Sequence, residues 1–280
     1  MFGRRKERAD AHQDSSAESG GRIVAVWGPS GAPGRSTVAA ALAGALAGRG
    51  RVVLLDADLL RGALAVLLGA DVGGNIASAS RFPSPPDAPC APDHLFAHRA
   101  GFHLLPGVPG PAQGVTVEPD DLAALLERLR RAFDLVVVDV GWALPGQPQG
   151  RGHLAALLAA DLVLVVAAAT RLGVTDLLLQ YPVLDAHLYG RDGTGPPAWC
   201  VLNGGSGAHL ESRRRQITDE TGLRVVSYVP HDCTAVMAAQ ERHLPLTVAR
   251  RDSPAAQALW RVAERVWHLP PRPRGACTGS

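Results

Sequence analysis

Three aspartates, one asparagine and a glycine-rich turn in this chain could do phosphate chemistry. The turn is Gly28 to Thr37, GPSGAPGRST, which follows the apolar run Ile23–Trp27 and precedes a long Ala/Leu-rich stretch. Strand, glycine-rich turn and helix form the layout in which backbone N–H groups and a helix N-terminus face an anion. Asp56-Ala57-Asp58 closes the run Arg51–Asp56, Asp139-Val140-Gly141 closes Leu135–Asp139, and Asn203 closes Trp199–Asn203. If the anion is ATP with magnesium, the loop and helix residues Gly31, Ala32, Gly34, Arg35, Ser36 and Thr37 would cradle the phosphates. The Ser36 hydroxyl would sit on Mg²⁺, and Asp139 would hold the ion through water. Asp58 would lie near the γ-phosphate and orient the attacking water, and the Asn203 amide would meet the base edge. Asp56 is grouped with the metal-side residues. Asp56 and Asp58 also read as ordinary turn residues, and Asn203-Gly204-Gly205 as a turn in its own right. Asp139 is different, because a carboxylate ending LeuValValVal in mid-sheet is costly without a task.

The elements that would position these groups alternate. Seven short, continuously apolar runs read as strands buried on both faces of a parallel sheet: Ile23–Trp27, Arg51–Asp56, Phe102–Leu105, Leu135–Asp139, Leu162–Val166, Trp199–Asn203 and Arg224–Val229. Helical patterns separate them, at Thr37–Ala47, Gly62–Leu68, Pro119–Phe133, Thr175–Leu188, Leu210–Thr221 and Thr234–Arg242, with a last one at Pro254–Trp267. The fold class expected is α/β: a doubly wound, mostly parallel sheet of about seven strands with helices on both faces. In such a sheet ligands bind outside the carboxyl ends of the strands, where all four candidate motifs fall. One domain is expected over residues 22–268. Flanking it are a polar, disordered tail over 1–21 and a proline-rich tail over 269–280. A proline-rich, exposed insertion is expected over 74–100, carrying Pro83, Pro85, Pro86, Pro89 and Pro92.

Composition narrows the classes. The 280 residues carry a net charge of +2, too near balance to imply a nucleic-acid partner. Lys6 is the only lysine, so the basic side is almost all arginine. Cys90, Cys200, Cys233 and Cys277 form no C-x-x-C pair or metal spacing, which suits a reducing cytoplasm. Residues 1–20 lack the apolar core of a signal peptide. The most apolar stretch, Leu154–Ala169, is interrupted by Asp161 and falls short of the ~20 residues a membrane-spanning helix needs. Arg213-Arg214-Arg215 reads first as a solvated helix face and second as a DNA contact. The last helix, with Trp260 and Trp267, reads first as core packing and second as a peripheral membrane contact.

The motifs together resemble the MinD/ParA class of P-loop ATPases. The stretch around GlyProSerGlyAlaProGlyArgSerThr looks like the class's deviant Walker A loop, written K-G-G-x-G-K-[ST]-[ST]. ValLeuLeuAspAlaAspLeu resembles its switch I segment, and PheAspLeuValValValAspValGly its Walker B strand. TyrValProHisAsp is similar to the late loop near the base, which adds Pro230 to the expected nucleotide contacts. The resemblance spans roughly residues 22–268. It implies an ATP- and Mg²⁺-binding homodimer in the cytoplasm, with Asp58 and Arg35 in the catalytic roles. Within the class the chain is most similar to actinobacterial ATPases related to CpaE and TadZ, implying a spatial organiser for Flp/Tad-type pilus or secretion machinery.

Two departures stand out. Ser30 occupies the position of the signature lysine, which in the class reaches across the dimer, and Arg35 replaces the loop lysine itself. Pro29 and Pro33 remove two N–H donors from the cradle. Hydrolysis is therefore expected to be weakened or lost. The alternatives are a non-hydrolysing scaffold that binds partners through residues 74–100, and a partition ATPase that binds DNA nonspecifically.

Overall fold

The computed structural model describes residues 20–71, 73–82, 92–190, 193–205, 207, 209–270 and 272. Most of the expected N-terminal tail, four of the insertion's prolines and most of the C-terminal tail lie outside these residues. The strands are β1 (Arg22–Trp27), β2 (Val52–Ala57), β3 (Phe96–His98), β4 (Phe102–Leu105), β5 (Leu135–Val140), β6 (Leu162–Ala168), β7 (Ala198–Gly205) and β8 (Arg224–Pro230). They form one sheet in the order β3-β4-β2-β5-β1-β6-β7-β8. Every pairing is parallel except β3 with β4.

The eighth strand is β3, and it corrects the expectation of about seven. It comes from the stretch read as an exposed insertion. In that stretch α3 (Ile76–Arg81) buries Ile76 and Ala79 completely against the core. Asn75 caps this helix by accepting from Ala77 N and Ser78 N, in a reciprocal capping box. The signal was present in AsnIleAlaSerAlaSer, but the prolines that follow it masked the reading.

Two apolar layers flank the sheet. On one face lies α1 (Arg35–Leu46), covered in turn by α9 (Cys233–Glu241), α10 (Leu246–Ala249) and α11 (Pro254–Trp267). All residues of α1 from Val38 to Leu46 are buried. A helix apolar all round must be enclosed, and its Ala-rich sequence lets neighbours approach closely. Between β2 and α3 lies the short α2 (Leu64–Leu68). The other face carries α5 (Pro119–Ala132), α6 (Gly150–Leu158), α7 (Arg171–Tyr189) and α8 (Leu210–Thr221), after a short α4 (Pro111–Gly114).

The C-terminal helix docks on the domain, as the first reading had it. The Trp260 indole N–H donates to Thr247 O, and the Arg22 guanidinium stacks over Trp267 at 5.0 Å. Among the described residues no helix is long and apolar enough to cross a membrane.

Candidate functional site: a phosphate loop at the carboxyl edge of the sheet

β1, β2, β5 and β7 run parallel, so their carboxyl ends share one edge. Register sets the heights. Asp139 pairs with Asp56 on one side and Val26 on the other, which places both carboxylates directly beneath the turn that leaves β1.

That turn keeps an anion-nest shape. Gly31, Ala32 and Gly34 have φ of 90°, 52° and 96°. Left-handed Gly34 followed by helical, right-handed Arg35 is the alternation that turns neighbouring N–H groups to a common side. Gly34 is irreplaceable here: besides its φ, a Cβ would lie 2.3 Å from Asn203 Nδ2. Gly28, which falls one place early for the usual loop pattern, has its own task. A Cβ there would meet Val166 O at 2.2 Å, so the glycine lets the chain cross β6 closely. The N-terminus of α1 follows at once, with Val38 N to Gly34 O as its first bond. The preceding helical amides are left for a ligand.

Ser36 lies beside Asp139, close enough to pull the pKa of its carboxyl down. Asp139 is 2% exposed, and its Oδ1 has no hydrogen-bond partner. Burial pushes its pKa up, and the neighbouring charge of Asp56 pushes it further, against the pull of Ser36 and Arg35. An orphaned oxygen on a buried carboxylate beside a hydroxyl is the donor set Mg²⁺ takes from a protein when phosphates and water supply the rest. Among the described residues no three His, Cys, Asp or Glu side chains form a cage that would hold a metal alone.

Asp56, grouped with the metal-side residues from sequence, is bound up in the turn. Both of its oxygens are spent on backbone: Oδ1 accepts from Asp58 N at 3.2 Å and Oδ2 from Leu64 N at 2.9 Å. Fully buried, it holds the turn from β2 into α2. Burial raises its pKa, and those two backbone bonds pull it back.

Asp58 is placed at the same edge. Its Oδ1 accepts from Leu60 N and Arg61 N, and it lies beside Gly141, where a Cβ would come within 2.6 Å of that oxygen. This is at once the turn residue of the plainer reading and a carboxylate next to the segment that leaves β5.

Arg35 differs from its expected catalytic role. Its guanidinium folds back and donates to Gly28 O at 3.1 Å and Pro29 O at 2.8 Å. The planar fork closes the base of the loop, whereas a role at the γ-phosphate needs it extended toward the ligand. Asn203 is likewise tied, its Nδ2 donating to Pro33 O at 2.8 Å. It still lines a cleft of about 250 Å³ together with Ala32, Gly34, Thr37 and Pro230. The apolar wall of that cleft, including Met237 and Leu259, was not anticipated; these residues read as ordinary helix positions.

His153 joins two of the motifs. It is 1% exposed; Nε2 accepts from Leu59 N at 3.2 Å, and Nδ1 bonds Ala143 O at 3.3 Å. This requires the neutral ring with its proton on Nδ1. Burial lowers its pKa to about 4. Between about 4 and the ordinary imidazole value of 6.5 the unfolded chain holds the proton and the folded chain does not. His153 thus favours folding above that window and opposes it as pH falls through it, by of the order of 3 kcal/mol across the window. Urea titrations of wild type and His153→Gln at pH 7.0 and 4.5 check this. The wild type should lose more stability between the two pH values than the variant, and equal losses would refute it.

The triple arginine is a solvated face. Arg214 and Arg215 both pair with Glu211, and Arg213 donates to Ala169 O.

The fold is that of solved MinD and ParA family structures. The chain superposes on the septum site-determining protein MinD of Pyrococcus horikoshii, solved with Mg-ADP, with a TM-score of 0.70 and 20% identity over 88% of this chain and 95% of that one. For a ParA family ATPase from Chlorobium tepidum the TM-score is 0.75, with 16% identity over 89% and 99% of the two chains. In sequence it is similar to the antiactivator FleN of Pseudomonas aeruginosa, 28% identical over 264 residues, which span 91% of this chain and 90% of that protein. No protein-family model matches it.

Proposed function

We propose that the chain binds ATP with Mg²⁺ at this edge, hydrolyses it slowly, and acts as a nucleotide-dependent spatial organiser. The observation that carries the reading is the Ser36–Asp139 pair, with its orphaned buried oxygen, under a loop held in nest geometry. Ser36 and Asp139 would hold the ion, which when bound neutralises phosphate charge. The amides of Gly31, Ala32, Gly34 and Thr37 orient the phosphates. The cleft beside Asn203 and Pro230 takes the base. Asp58 is the residue available to orient water. Slow turnover follows from Arg35, whose charge is turned onto the loop's own carbonyls.

The process served is proposed as Flp/Tad-type pilus or secretion machinery in the cytoplasm, after the CpaE/TadZ resemblance. FleN and MinD, both similar to this chain, are named as an antiactivator and a septum site-determining protein. A homodimer is the proposed assembly, supported by the apolar side chains Leu172 and Leu179, which α7 leaves 71% and 69% exposed.

Titration calorimetry of ATP into the protein, with Mg²⁺ and with EDTA, tests the nucleotide reading. Saturable binding strengthened at least ~10-fold by Mg²⁺ is expected, since the pair completes its coordination only with the ion present. No binding at millimolar ATP would leave the second reading, a scaffold that keeps the fold without the ligand. That reading draws on the same inward-turned Arg35.

A further inference from the structure

We propose that Gln180 is the positioning residue of the phosphate loop: from the middle of α7 it clamps Ser30 and holds residues 29–33 in the shape that receives phosphate. The proposal rests on the reading that this loop takes nucleotide. Gln180 Oε1 accepts from Ser30 N at 3.1 Å, and Gln180 Nε2 donates to Ser30 Oγ at 2.9 Å. Two bonds from one planar amide to one residue set orientation as well as distance.

The platform is well packed. α7 is anchored on either side of Gln180 by Leu177, Tyr181 and Leu184, all at most 3% exposed. The segment it grips is not self-supporting. Gly31 and Ala32 are exposed and left-handed in succession, and for Ala32, with φ 52°, that conformation is strained. Pro29 and Pro33 on either side have no N–H to give.

Three ties divide the work. Arg35 fixes Gly28 and Pro29 by their carbonyls, Asn203 fixes Pro33 by its carbonyl, and Gln180 fixes the residue between them. None of the three uses the amides of Gly31, Ala32 or Gly34. The clamp therefore orders the nest while sparing the donors an anion needs. It also takes the Ser30 amide out of the donor set.

Gln180→Ala, Ser30→Ala and the double variant, compared by Mg-ATP calorimetry, thermal melting and amide exchange, decide the matter. Alanine is a good helix former, so α7 keeps its fold. Gln180→Ala is expected to weaken Mg-ATP about 10-fold, the scale of one or two lost hydrogen bonds, with the melting temperature nearly unchanged. The double variant should bind no more weakly than Gln180→Ala alone, because both changes break the same clamp. Wild-type affinity in Gln180→Ala, or losses that simply add, would overturn the proposal. If the wild type binds no nucleotide, the nucleotide reading falls and the clamp is judged separately in the free protein. Protection of the Ser30 amide that disappears in Gln180→Ala supports it, and identical exchange in the two proteins overturns it.

Discussion

Asp161→Ala is expected to cost about 3–5 kcal/mol of folding stability, the largest single loss foreseen outside the loop. Asp161 begins the turn into β6 and is 3% exposed. Its Oδ2 accepts from Ile23 N at 2.7 Å and from the Arg130 guanidinium at 2.8 Å; its Oδ1 accepts from Arg272 N at 3.1 Å. Three elements distant in sequence thus meet on one carboxylate. Alanine would leave the amide near the start of β1 unpaired and a guanidinium, 7% exposed, without its close carboxylate. Glu127, at 3.6 Å from Arg130, is half-exposed and too far to substitute. Asp161→Asn should lose less, since its amide oxygen can still accept from Ile23. Guanidinium denaturation of the two variants measures this. A loss below about 1 kcal/mol for alanine would show that the pair is replaceable by water.

Asp139→Asn is expected to separate function from stability. It should weaken Mg-ATP by about 100-fold, the upper end for loss of a group that tunes a metal site. The same change should leave the melting temperature of the nucleotide-free protein unchanged or raised. The reason is electrostatic: Asp139 and Asp56 are both buried, burial pushes both carboxyls up, and the charge of Asp56 pushes Asp139 further. A neutral amide of the same shape removes that cost. Paired calorimetry and scanning melts decide it. A variant that binds Mg-ATP as the wild type does would remove Asp139 from the ion's site. One that binds weakly and also melts early would make Asp139 a structural residue.

Several features were legible because they are local. Buried parallel strands need unbroken apolar runs, and ValLeuLeuAsp, LeuValValValAsp and LeuValLeuValVal supply them. Pro254 at the start of α11 and the acidic first turn and basic last turn of α5 mark helix ends by local rules. Asp139 stood out in the sequence because a charge at that place in an apolar run needs a reason. Asp161 was seen only as an interruption, since its three partners come from 111 to 138 residues away or from a neighbouring helix. The strand β3 is three residues long, too short for any periodicity to register.

The α/β class, the succession of strands and helices, the nest-forming loop and the carboxylates that end the strands are each written in neighbouring residues. What those residues touch is set by packing between elements far apart in the chain. Arg35 turns inward on its own loop, Asp56 spends both oxygens on backbone, and Gln180 and Asn203 reach the loop across 150 and 170 residues. The physical reason is one of range: turn geometry and burial pattern are short-range properties, while the partner of a polar side chain depends on which strands become neighbours when the sheet closes.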